Sequence, residues 1–135
     1  MIKALQDEDW RARQRAAMAL GRIGPEAKKA TPALVKALND GDRDVRWQAA
    51  WALGRIRSSD HDAVHSLIEA LQDEQQGMRY RAAQALGEIG PEARDAISTL
   101  TEALEDAEEI VRFAATEALK KIKGEKSKKK ESNET

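Results

Sequence analysis

"QAAWALGRIR" (residues 48–57) decides how this chain is read, because it returns as "RAAMALGRIG" (15–24), "RAAQALGEIG" (81–90) and "AATEALKKIK" (114–123). Leu20, Leu53, Leu86 and Leu119 stand 33 residues apart, and so do Ile23, Ile56, Ile89 and Ile122. A fixed period of this length marks an architecture of stacked repeats. Within one copy, Val45, Ala49, Ala52, Leu53 and Ile56 fall at i, i+4, i+7, i+8 and i+11, a single apolar stripe on a helix.

Between these copies lies a second unit, "ATPALVKALND" (30–40), "AVHSLIEALQD" (63–73) and "AISTLTEALED" (96–106), repeating at the same step. It too is helical, since Ala30, Leu34, Ala37 and Leu38 form one stripe. The opening "MIKALQD" matches only the end of that unit, so the chain is expected to start partway through a repeat. "GPEA" at 24–27 and 90–93 places Gly after one helix and Pro at the first position of the next. Turns such as "NDGD" (39–42) separate the other pairs. The expected helices are a stub near 2–6, then 9–23, 27–38, 43–57, 61–71, 76–89, 93–104 and 109–122.

One helix pair cannot bury its stripe alone, but pairs stacked in register can. The expected fold is therefore all-α, an α-solenoid of stacked antiparallel helix pairs. Gly21, Gly54 and Gly87 share one column inside a helix, where each costs about 1 kcal/mol relative to Ala. Close approach of the neighbouring helix is the packing reason for such a column.

Composition narrows the function. Aromatic residues make up 4% of the chain, so the core must be built from Ala, Leu and Ile at close range. No cysteine is present, which excludes disulfides, thiol catalysis and thiolate metal sites and fits a cytoplasmic setting. No apolar run is long enough to span a membrane, and the first residues carry no hydrophobic signal segment. Net charge is −1, but residues 120–135 hold seven Lys against three Glu, leaving about −5 elsewhere. That balance is unlike a dedicated nucleic-acid binder.

The pattern "D…VR…AA.ALG.IG" over residues 1–124 resembles HEAT repeats, in particular the short prokaryotic type named after phycobilisome lyases. By that resemblance Asp7, Asp40, Asp73 and Asp106 are the turn aspartates, and Arg13, Arg46, Arg79 and Arg112 are their partners in a structural ladder of hydrogen bonds between repeats. Asp–Arg pairs suit this role because the fork of a guanidinium matches a carboxylate. Pro32 matches the proline of the first helix; His65 and Ser98 replace it in the other repeats.

Columns that recur are explained by stacking, whereas columns that differ are free of it. In the second helix of each pair, four columns vary most. They are Gln14, Trp47, Tyr80 and Phe113; Arg15, Gln48, Arg81 and Ala114; Met18, Trp51, Gln84 and Glu117; and Arg22, Arg55, Glu88 and Lys121. Within one helix these positions are i, i+1, i+4 and i+8, a face turned away from the core stripe. Second helices line the concave surface in HEAT-type solenoids, so the resemblance makes this face a groove. It would hold a row of rings, Trp47–Tyr80–Phe113, with Trp51 one turn along. Trp, Tyr and Arg are the residue types most enriched at binding hot spots. The expected function is a non-catalytic scaffold that binds a protein or peptide on this face, with Arg15, Arg22, Arg55 and Arg81 selecting acidic groups. The alternative for the rings is that they pack on one another and stiffen the array. The alternative for function is a chromophore-lyase-like or other enzyme-associated subunit.

Chemistry finds little footing. "HDAVH" (61–65) places His61 and His65 at i, i+4, but Asp62 replaces the glutamate of the H-E-x-x-H zinc motif and no third ligand is indicated. The His-Glu pairs of HEAT-like iron hydroxylases are missing. HEAT-like DNA glycosylases place Trp and Asp in a basic groove, and here no acidic residue matches. No nucleophile–base pair is supported by spacing. We expect no catalytic residue, no metal and no cofactor, and neither membrane nor nucleic acid as partner. The repeats are expected to occupy 1–123, the first truncated and three complete, with 124–135 a disordered Lys-rich tail. At the C-terminal end, Glu117, Lys120, Lys121 and Lys123 make a polar cap. At the other end Trp10 and Met18 lie near an uncovered flank, where further repeats or self-association are expected.

Overall fold

Apolar stripes at a helical period, punctuated by Asp- and Gly-rich turns, produce a run of helices. The computed structural model describes residues 2–124. It begins with a 3-10 turn, Lys3–Gln6, and continues through α1 (Trp10–Ile23), α2 (Thr31–Ala37), α3 (Arg43–Ile56), α4 (His61–Ala70), α5 (Gln76–Ile89), α6 (Ile97–Ala103) and α7 (Glu109–Lys123). Further 3-10 segments, Gly24–Ala30 and Gly90–Ala96, lead into α2 and α6. The expected tail lies, Gly124 apart, outside the described residues. Among the described residues no helix is long and apolar enough to cross a membrane.

The helices form two layers, α1, α3, α5 and α7 in one and α2, α4 and α6 in the other: an α-solenoid. Its core runs the length of the stack. Val45, Ala49, Ala52, Leu53 and Ile56 are fully buried on α3, as are Leu34, Leu67 and Leu100 on α2, α4 and α6. The glycine column explains how the second helices come together. A Cβ on Gly54 would stand 2.7 Å from Ala85 Cα, and one on Gly87 would stand 3.0 Å from Ala118 Cα. Helix backbones thus meet through Gly and Ala, with no side chain between them. Successive second helices touch along their length while successive first helices touch far less.

Two first helices depart from the expected form. The spans 27–38 and 93–104 are not single α-helices. Each starts as a 3-10 segment and bends at Ala27 (φ −92°, ψ 20°) or Ala93 (φ −93°, ψ 25°) before α2 or α6 begins. Pro25 and Pro91 donate no hydrogen bond at the first turn, so the tighter winding starts there without loss. The middle repeat has no Gly-Pro and instead has Asp60, whose side chain accepts from the Asp62 N–H at 2.9 Å. There α4 is a regular α-helix from its N-cap onward. The preceding helix ends with Arg57 in the left-handed region (φ 58°, ψ 44°), held by Arg57 N–H to Gly54 O at 3.0 Å and Ser58 N–H to Leu53 O at 3.3 Å. This is a Schellman C-cap with arginine where glycine is the usual residue. Buried Ser58 pairs with buried Thr31 at 3.1 Å.

The turn aspartates do two jobs. Asp7, Asp40, Asp73 and Asp106 each accept from the backbone N–H two residues on, at 2.8 to 2.9 Å, closing the turn into the second helix. Arg13, Arg46, Arg79 and Arg112 each donate Nη1 to the backbone carbonyl of the aspartate in their own turn, at 2.7 to 3.0 Å. Rungs between repeats are fewer than the expected ladder. Arg13 donates Nε and Nη2 to Asp40 at 2.8 and 3.0 Å, and Arg79 does the same to Asp106 at 2.8 and 3.1 Å. Among the described residues Arg46 makes no such fork to Asp73. At that joint Arg43 Nη1 donates to Gln75 Oε1 at 3.3 Å, and the ring of Trp47 is seated between the repeats.

Where the forks form, they move titrations. For Asp40 burial works to raise the pKa, but the hydrogen bonds from Arg13 and the Asp42 N–H, with the charges of Arg13 and Arg46, outweigh it and hold the carboxyl below its usual range. For Asp106 the hydrogen bond from Arg79 leads, burial opposes it, and the result is again a lowered pKa. The hydrogen bond to Asp40 raises Arg13 in turn.

Candidate functional site

The four variable columns lie on the face of α1, α3, α5 and α7 away from the first helices, but their side chains do not stand equally free. Trp47, Trp51 and Tyr80 are half-buried and packed against the core, whereas Phe113 is 64% exposed. The expected row of similar rings is therefore graded, from joint-filling at α3 to open at α7.

The two tryptophans point in opposite directions along the stack. Trp51 reaches back to α1 and covers Gly21; a Cβ there would overlap the ring, with Trp51 Cε3 at 2.8 Å. Trp47 reaches forward to the start of α5 and covers Gly77, where a Cβ would overlap the ring, with Cε2 at 2.9 Å. The Gly77 position carries Arg11, Asp44 and Ile110 in the other repeats. Trp47 and Gly77 are thus a matched pair, a large ring on one repeat and a missing side chain on the next. The fit has a polar cost, because among the described residues the buried Trp47 Nε1 has no acceptor. Sequence reading missed Gly77. Its signal was a glycine in a column otherwise filled by side chains, one period after a stretch containing tryptophan.

Between α5 and α7 the face is open. A cavity of about 220 Å³ lies there, floored by Ala83, Gly87 and Ala118 and walled by Tyr80 and Phe113. Gln84, Ala114, Glu117 and Lys121 complete its lining. Arg81 lies over the Tyr80 ring at 5.5 Å from its centroid and donates to Gln84 Oε1 at 2.9 Å. Glu117 Oε2 is 3.6 Å from Lys120 Nζ.

Charge on the face is divided. Arg15, Arg22 and Arg55 are exposed on α1 and α3, and among the described residues none has a carboxylate within 4 Å. Glu88 and Glu117 are half-exposed on α5 and α7. Gln14, Met18 and Gln48 are half-buried among them. His61 and His65 are on α4, in the other layer, with parallel rings 6.5 Å apart and His65 Nε2 3.5 Å from Glu69. Among the described residues no three His, Asp or Glu side chains cluster as a metal site.

A family model for HEAT repeats matches residues 1–78 and 64–130. The chain belongs to the HEAT-repeat family. No curated protein matches it. Among solved structures, this HEAT-repeat protein is similar to an engineered protein at 28% identity and TM-score 0.72, covering 91% of this chain and 61% of that one. It is similar to human deoxyhypusine hydroxylase in complex with glycerol at 31% identity and TM-score 0.73, covering 92% of this chain and 42% of that one. It is also similar to the complex of CpcE and CpcF of phycocyanin lyase from Nostoc sp. PCC7120, at 25% identity and TM-score 0.70, covering 91% and 76%. The chain thus spans less than two thirds of the engineered protein and of the hydroxylase.

Proposed function

We propose that this HEAT-repeat protein is a non-catalytic scaffold that binds a peptide or protein edge along the inner face of its second helices. The observation that carries the reading is Phe113, a large ring 64% exposed beside an open cleft, in a chain with few aromatic residues. Exposed rings grouped on one face mark interaction surfaces. The unpaired Arg15, Arg22 and Arg55 suit acidic groups on the partner, and charge complementarity of this kind steers association. Trp47 and Trp51 contribute mainly their exposed edges, because their bodies fill the joints. One structural neighbour is a complex of two chains, CpcE and CpcF, which supports a protein as the partner. The absence of cysteine supports a cytoplasmic setting.

Photo-cross-linking tests this reading. A photoreactive phenylalanine at position 113 is expected to yield a discrete adduct in cells. The same group at Glu102, exposed on α6 in the other layer, is expected to yield none. Equal labelling from both positions, or none from 113, would sink the proposal. Arg22→Glu with Arg55→Glu is expected to weaken the adduct without changing the fold.

A further inference from the structure

The period of the chain sets its open cleft beside two joints that are filled. The position held by Trp51, Gln84 and Glu117 stands at one fixed offset after the glycine of the preceding repeat, Gly21, Gly54 and Gly87. The first joint is plugged by the Trp51 indole on Gly21. In the second, Glu88 covers Gly54, its Oε1 3.1 Å from where a Cβ would stand. In the third, Glu117 lies 3.6 Å from Lys120, and over Gly87 the nearest groups are Ala118, at 3.0 Å, and the stem of Lys121, at 3.6 Å from where a Cβ would stand. That leaves the cavity of about 220 Å³ between Tyr80 and Phe113. For comparison, an apolar cavity of about 150 Å³ is enough to hold benzene.

We propose that the α5/α7 cleft is a receptor for one tryptophan side chain of a partner segment, and that this segment carries a lysine or arginine beside the tryptophan. The inference rests on the binding-face reading above. The first joint supplies the template, since the protein already seats an indole on the equivalent Gly and Ala floor. Gln84 and Glu117 at the rim offer oxygens to the indole N–H. Charge supplies the neighbour: Glu109 and Phe113 fall at i and i+4 on α7, so a carboxylate stands one turn before the exposed ring, whereas Glu117 on its other side is paired with Lys120. Glu109 is exposed and, among the described residues, has no cation within 4 Å. Lys121 occupies the opposite end of the cleft, so the basic residue of the partner belongs on the Glu109 side.

The test uses the full chain, isotope-labelled, titrated with three blocked tripeptides: acetyl-Lys-Trp-Lys-amide, acetyl-Glu-Trp-Glu-amide and acetyl-Lys-Ala-Lys-amide. The first is expected to shift the amides of Gly87, Ala114 and Ala118 saturably. The second should do so up to about fivefold more weakly at low salt, from one exposed ion pair, and the third not at all. Glu117→Trp places an indole where Trp51 has one and is expected to abolish the shifts. Phe113→Ala removes one wall without touching the core and should weaken binding at least about tenfold, which keeps the test decisive if Glu117→Trp misfolds. Equal response to the alanine peptide, shifts that survive both variants, or no saturable shift overturns the receptor. Shifts confined to Arg22 and Arg55 with the glutamate peptide would overturn it while leaving the binding face standing.

Discussion

Gly54→Ala sets helix propensity directly against packing. Alanine is favoured over glycine inside a helix by about 1 kcal/mol, so propensity alone predicts stabilisation. The new Cβ, however, would stand 2.7 Å from Ala85 Cα and 2.9 Å from Ala85 Cβ. Carbon–carbon contacts are optimal at roughly 3.5 to 4.0 Å, so α3 and α5 must separate by about 0.8 Å or rotate. The opposing atom is backbone in the middle of a helix and cannot swing aside. Overpacking of this kind costs about 1–3 kcal/mol, which leaves a net loss near 1 kcal/mol. For a domain of this size that is about 3–5 °C in Tm, read by circular dichroism at 222 nm. Two controls calibrate it. A Cβ on Gly41 has nothing within 4 Å, so Gly41→Ala should be neutral or slightly stabilising. At Gly87 the nearest atom is 3.0 Å away, so its alanine variant should fall between the others. A rise of about 4 °C for Gly54→Ala would refute the reasoning, because propensity would then have won and the joint would be compliant.

Arg57→Gly should stabilise by about 0.5–1 kcal/mol in urea melts, since Arg57 holds the left-handed cap at φ 58° and glycine has no Cβ to strain there. Asp40 and Asp106 have folded pKa values below the unfolded value of about 3.9. Their contribution is complete above about pH 5 and is lost as pH falls through the folded pKa; Asp40→Asn with Asp106→Asn should flatten that acid limb of stability. Trp51→Ala should cost about 2 kcal/mol by emptying the space over Gly21, whereas Phe113→Ala should stay within about 0.5 kcal/mol of the parent. The reverse order would mean that the open ring, not the seated one, supports the stack.

The period and the core were legible because stacking demands the same small and aliphatic residues at the same step; Leu53, Ile56 and the Gly54 column are buried where that logic puts them. The variable face was legible by subtraction. What each ring does there was not. A helical period assigns Trp47 and Trp51 to one face, but the rotamer that sends one forward and the other back depends on which neighbouring repeat lacks a side chain, at Gly77 or Gly21. The bends at Ala27 and Ala93 follow from 3-10 winding after Gly-Pro, a difference too local for apolar spacing to report. Arg46 and Asp73 are both present, yet the fork between them is not formed, so residue identity in a column did not guarantee the contact.

That missing fork means that the joints are held by different means. In a repeat stack each unit touches only its neighbours, so stability is close to a sum of joint contributions. The joints at α1/α3 and α5/α7 carry an ion pair at the turn edge, Arg13–Asp40 and Arg79–Asp106. Among the described residues the α3/α5 joint has no carboxylate fork at that edge; it is held by the Gly54–Ala85 approach and by the Trp47 ring over Gly77. Acid that protonates Asp40 and Asp106 therefore acts on the two outer joints and leaves the middle one, whose seal is an uncharged ring, untouched.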